Sequence, residues 1–226
     1  MAGQAHATTV QFSSPSGLAA RATFTLLDAG HTLQIALQNT SFAMPDGIGS
    51  GDRLLTSIAF NMGGVNIQGT GSSVFTGANS HTLNFSVGGV SQDYGSNFDV
   101  SGEWGYGNNA GVLTGFAGMT NLVSTLSSGT TRFEGANLDG PEGLNGPQAG
   151  LISEAGLDGL DGTGAIQDEI IIRLNLDGTL SDLSFLNNGV VVEFGSDYAF
   201  LTVIPLPGAA GMAGLGLALV GSRRRR

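Results

Sequence analysis

The chain has no cysteine and no lysine, a single tryptophan, and only six prolines in 226 residues. Without cysteine it has no disulfide framework and no thiolate nucleophile, although export itself is not excluded. Basic charge is almost absent from the body. All 18 acidic residues precede Ile204, whereas four of the eight arginines are the last four residues, so the body has a net charge of −14 and the tail +4. Such a body repels nucleic acid and anionic lipid and offers no basic patch to neutralise phosphates. No apolar run reaches the roughly 20 residues of a membrane-spanning helix. Histidine is sparse and scattered at His6, His31 and His81, with no metal-binding spacing. A G-x-S-x-G elbow, a phosphate-binding glycine loop and a dinucleotide fingerprint are all missing. No catalytic residue, metal site or cofactor is assigned on this basis.

Glycine is abundant, at 38 residues. It follows no three-residue period, so it signals many turns rather than collagen. A chain of this length holds one substantial core and needs no second domain. The short segments between the turns alternate at period two. Val10 and Phe12, then Ala22, Phe24 and Leu26, then Leu33, Ile35 and Leu37 take one phase, with Thr23, Thr25, Gln34 and Gln38 on the other. This is the pattern of strands with one buried face. Asp28 to His31 reads as a hairpin connection with Gly30 at positive φ. Ile170, Ile172 and Leu174 alternate with Ile171, Arg173 and Asn175 in the strongest strand pattern of the chain. Helical spacing is weak throughout, and the predicted fold is all-β, an antiparallel β-sandwich or jelly-roll-like domain.

Two stretches carry candidate chemistry. Trp104 and Tyr106, one residue apart, share a strand face and form a candidate glycan contact, or else the tryptophan fills the core. The glycine-rich segment 127–164 holds Asp139, Glu142, Asp158 and Asp161 as oxygen donors for calcium. Its spacing departs from the calcium-loop pattern, and a solvated acidic loop is the simpler reading. Carboxylates are plentiful enough for a hydrolytic pair, but plenty is not geometry.

The last 23 residues read IPLPGAAGMAGLGLALVGSRRRR. A proline-bracketed turn, 14 residues without formal charge from Gly208 to Gly221, and a four-arginine stop follow in order. The glycine and alanine content makes membrane insertion marginal, while Arg223, Arg224, Arg225 and Arg226 would resist translocation. This order resembles the C-terminal sorting signal of bacterial exosortase substrates, usually described by a Pro-Glu-Pro motif. Here Pro205, Leu206 and Pro207 form a Pro-Leu-Pro variant. The EWGYG segment, the GANLDGPEGLNGPQAGL region and the VEFGSDY strand are similar to exosortase-dependent surface proteins from about Leu54 onward, a family that supplies no catalytic residues to carry over.

That resemblance implies a C-terminal transmembrane helix and an exosortase-type membrane enzyme as partner. It further implies transient inner-membrane association and delivery to the bacterial cell surface or extracellular matrix. Ala5-His6-Ala7 has the spacing of a leader cleavage site. Residues 1–7 are therefore read as the remnant of a signal peptide that begins upstream, 8–203 as the β domain, and 204–226 as the sorting signal. The expected function is that of a non-catalytic exported surface or matrix protein. Alternatives are a calcium-assisted carbohydrate-binding module, with an extracellular polysaccharide as partner, and a secreted hydrolase.

Overall fold

A computed structural model describes residues 7–41, 51–83, 86–87, 90–91, 95–126, 150–153 and 165–203. In chain order the strands are β1 (Ala7–Ser13), β2 (Ala19–Leu27), β3 (Thr32–Asn39), β4 (Leu55–Phe60), β5 (Ile67–Thr76), β6 (His81–Leu83), β7 (Ser86–Val87) and β8 (Val90–Ser91). They continue with β9 (Gly105–Gly107), β10 (Asn121–Ser124), β11 (Leu151–Ile152), β12 (Ala165–Gln167), β13 (Glu169–Leu176), β14 (Val190–Phe194) and β15 (Ala199–Val203).

The first sheet runs β1-β2-β3-β13-β5, every pair antiparallel. Its local half is a meander, because β1, β2 and β3 are joined by short turns that favour antiparallel neighbours. Its other half is non-local: β13 inserts between β3 and β5, with Ile172 opposite Ile35 on one side and Val74 on the other. The apolar phase of each strand then falls on one face. Phe24, Leu33, Ile35, Leu37, Ile170, Ile172 and Leu174 are all fully buried.

The second sheet is ordered β15-β14-β4-β11-β12-β6, with β10 pairing β4 and β9. All six residues of β4 are buried, so both of its faces are covered. Toward the first sheet, Phe60 meets Phe24 edge-on at 6.0 Å and Phe185 at 5.9 Å. These residues belong to one hydrophobic cluster shared by the two sheets. On the opposite face a smaller cluster covers Ala59, Leu122 and Val191 with Ala110, Phe116 and Met119. Phe116 packs edge-on against Phe200 of β15 at 5.2 Å. Burying apolar surface on two fronts is the main stabilising term, at about 25 cal/mol per Å².

The architecture corrects the expected fold class. The domain is β-rich and mostly antiparallel, but among the described residues neither sheet closes, and β11 pairs β12 in parallel, so the second sheet is mixed rather than that of an antiparallel sandwich or jelly roll. Among the described residues the only helical elements are short 3-10 turns. Apolar residues recur at strand period there, and backbone hydrogen bonds close between strands rather than along one segment.

No helix among the described residues is long and apolar enough to cross a membrane. The expectation of a transmembrane helix, and of the inner-membrane route to a bacterial surface or matrix that rests on it, is corrected to this extent: no described residue supplies such a helix. The C-terminal hydrophobic helix was assigned to 204–226, which lies outside the described residues.

Candidate functional site

Of the residues singled out in the sequence, Pro205, Leu206, Pro207 and Arg223 to Arg226 lie outside the described residues, as do residues 1–6 and the acidic side chains Asp139, Glu142, Asp158 and Asp161. Trp104 and Tyr106 are described, and both are core residues, 1% and 3% exposed. The 3-10 turn Ser101–Glu103 delivers the chain into β9, where Tyr106 lies opposite Val123 of β10. Their rings belong to the main hydrophobic cluster, so no ring face is open for a sugar to stack on. His31 borders the β2–β3 turn with Thr179 as its neighbour, and His81 lies in β6 of the other sheet. Among the described residues no group of three His, Asp or Glu side chains is placed to hold a metal.

Two polar arrangements emerge instead. The first is enclosed. Glu193 of β14 is fully buried, and so are Ser57 of β4 and Ser124 of β10. The Ser57 hydroxyl donates to Glu193 Oε2 at 2.5 Å, and the hydroxyls of Ser57 and Ser124 are 2.8 Å apart. The Asp197 N–H donates to Glu193 Oε1 at 3.0 Å. These bonds tie β4, β10 and β14 to the turn before β15. A buried acidic side chain so placed is tolerated because each of its oxygens meets a fixed donor. Its sequence signal is the lone charge in the run VVVEF.

The second arrangement is open to solvent and covers the outer face of the first sheet. Pairing places Gln11 opposite Arg21, Arg21 opposite Gln38, and Gln38 opposite Glu169. The side chains of this row join up. Arg21 donates to Gln38 Oε1 at 2.6 Å, and Gln38 Nε2 donates to Asp168 Oδ1. Two residues along the strands, the hydroxyls of Thr9 and Thr23 are 3.0 Å apart. Farther on, Arg173 donates to Gln34 Oε1 at 3.1 Å and lies over the Phe75 ring, 6.0 Å from its centroid. Asn175 donates to Gln68 Oε1 at 3.1 Å and to the Thr70 carbonyl at 2.9 Å. At one end a shallow depression is lined by Gln11, Ser13, Arg21 and Thr40. The period-two phase explains the array, since every second residue of five paired strands points to the same side.

One carboxyl on this face titrates abnormally. Partial burial, then the negative charge of Asp168, raise Glu169 above its ordinary value of 4.5, with Arg21 opposing. The folded state therefore binds this proton more tightly than the unfolded chain, and the group's contribution to stability declines as pH rises from 4.5 through its raised pKa. Glu169→Gln is expected to melt above the wild type at pH 7, with the gap closing as pH falls toward 4.5 and below. Paired melting curves across that range read the difference directly. A gap that is constant with pH contradicts the assignment.

The chain matches no protein-family model, no curated protein and no solved structure.

Proposed function

We propose that this chain is a non-catalytic structural module whose C-terminal segment is a processing signal. The observation that carries the structural part is the outer face of the first sheet. Its amide, hydroxyl and guanidinium groups are committed to one another across paired strands instead of converging on a reacting atom. A solvent-exposed face whose polar groups are paired with one another suits display or packing within a larger assembly better than chemistry. Burial of Trp104 and Tyr106 favours the same reading, because the two largest candidate contacts serve packing.

The processing part rests on the order of residues in the tail. Pro205, Leu206 and Pro207 are the recognition element for an exosortase-type enzyme, and Arg223 to Arg226 the basic terminus behind it. β15 ends at Val203, so the motif follows the folded domain directly. Proline at both ends of the motif disfavours helix there.

The test is co-expression of the full chain with an exosortase-type enzyme, read by intact-mass spectrometry. The expected outcome is a truncated product that retains the β domain, and no truncation of the Pro205→Ala/Pro207→Ala variant. An unchanged mass in the presence of active enzyme removes the processing part of the reading.

A further inference from the structure

We propose that the side of the molecule formed by β1 and β15 is a self-association surface, on which a second copy of this chain adds across a two-fold axis and extends both sheets at once. An edge strand presents a row of N–H and C=O groups ready to pair with another strand. β1 pairs β2 through all seven of its residues, and β15 pairs β14 through all five. Among the described residues no strand pairs the other side of either. The two edges touch each other, so they form one side of the domain.

The opposite edges are treated differently. β5 is covered by the segment that follows β8: the Thr76 N–H donates to the Phe98 carbonyl at 2.9 Å, the Val100 N–H to the Val74 carbonyl at 2.9 Å, and the Asn97 N–H to the Thr76 carbonyl at 3.1 Å. The β5–β13 ladder also carries a register shift. β6 and β9, the other strands that end the second sheet among the described residues, are only three residues long. Covering, irregularity and shortness are the devices by which edges are protected from pairing.

Among the described residues β1 and β15 have none of these devices. Their sequences, ATTVQFS and AFLTV, contain no charge and no proline, and their ladders run without a register shift. In a chain of net charge −10, strands without a charged residue add no like-charge repulsion of their own between two copies. Leu201 and Val203 are only partly buried at the margin of the core, with apolar surface still to cover.

The geometry selects a second copy over an unrelated strand. Two edges at a fixed spacing must be met together, and the matching pair of edges at that spacing is this chain's own. A two-fold axis normal to the sheets sets β1 against β1 and β15 against β15, both antiparallel, in an isologous contact. The proposal stands independently of the tail and of its processing.

The test uses the full 226-residue chain. Sedimentation velocity over a concentration series is expected to show a monomer–dimer equilibrium. Amide exchange within residues 7–13 and 199–203 is expected to slow as concentration rises. Thr9→Lys/Thr202→Lys places exposed ammonium groups along both edges and is expected to weaken the dimer by about tenfold, with the circular dichroism spectrum unchanged. If that variant fails to fold, Gln11→Lys, also at an exposed position, replaces it. A chain that stays monomeric to about 1 mM overturns the proposal. So does a dimer indifferent to these lysines, or concentration-dependent protection confined to other strands.

Discussion

Truncating Phe60 to alanine is expected to destabilise the domain by about 3–5 kcal/mol, a large fraction of the roughly 5–15 kcal/mol that holds a domain of this kind together. Phe60 is fully buried in β4, flanked by β14 and β10. Its ring meets Phe24 of the first sheet and Phe185 of the 3-10 turn Ser184–Asn188, and those two rings also meet each other at 6.1 Å. Removing the Phe60 ring leaves a cavity between two hydrogen-bonded sheets, which relax little, so the transfer contribution is lost and a cavity cost is added. Val112→Ala is the comparison. Val112 is 75% exposed, and its truncation is expected to change stability by no more than about 0.5 kcal/mol. Equilibrium denaturation in guanidinium measures both. Equal midpoints for the two variants would show that the sheets do not depend on a shared core.

Gly30→Ala is the second large effect, and it acts through the backbone. Gly30 is buried and sits at φ +91° in the turn between β2 and β3. A Cβ there would lie 2.0 Å from the carbonyl oxygen of Leu180, and the Leu180 N–H donates to the Gly30 carbonyl at 3.0 Å. The left-handed backbone alone costs about 1–3 kcal/mol for a residue with a side chain. Relieving the clash means moving one backbone segment away from another, which sacrifices that hydrogen bond for about 1 kcal/mol more. The expected loss is therefore about 2–4 kcal/mol. Gly63→Ala separates the two causes, since Gly63 sits at φ +69° with nothing within 4 Å of the added carbon. It is expected to bear the backbone cost only. Thermal denaturation of the two variants should place Gly30→Ala clearly lower, and equal melting temperatures would contradict the clash.

Gly30 also shows how far the sequence could be read. Its positive φ followed from Asp28-Ala29-Gly30-His31 standing between two alternating runs, a local pattern. The contact with Leu180 did not follow, because 150 residues of chain separate the two positions. The same division holds for β13. Its phase, with Ile170, Ile172 and Leu174 inward, was legible from alternation, whereas its place between β3 and β5 was not. Any apolar-faced strand fits any neighbour of like pattern, and the choice is made by the packing of the whole.

The candidate contacts divide along the same line. The spacing of Trp104 and Tyr106 puts them on a common face and says nothing about whether that face meets solvent or core. Here it meets the core. Glu193 is a lone charge inside an apolar run, a weak signal, yet it anchors a buried network with Ser57, 136 residues away in another strand. The polar face of the first sheet was half visible as the off-phase threonines and glutamines of β2 and β3. Its completion by Arg173 and Asn175 needed the non-local pairing of β13.

By itself, the sequence determined the absence of disulfide chemistry, the acidic body with its separate basic tail, the strand phases, and the turns where glycine is required. Each depends on composition or on residues a few positions apart, where covalent geometry sets which side chain faces which way. Tertiary structure alone decided the strand order, the mixed second sheet, the burial of Trp104, Tyr106 and Glu193, and which of the described strands end a sheet. These depend on which distant segments share a hydrogen-bond ladder and a core, a choice made by the packing free energy of the entire chain rather than by any stretch of it.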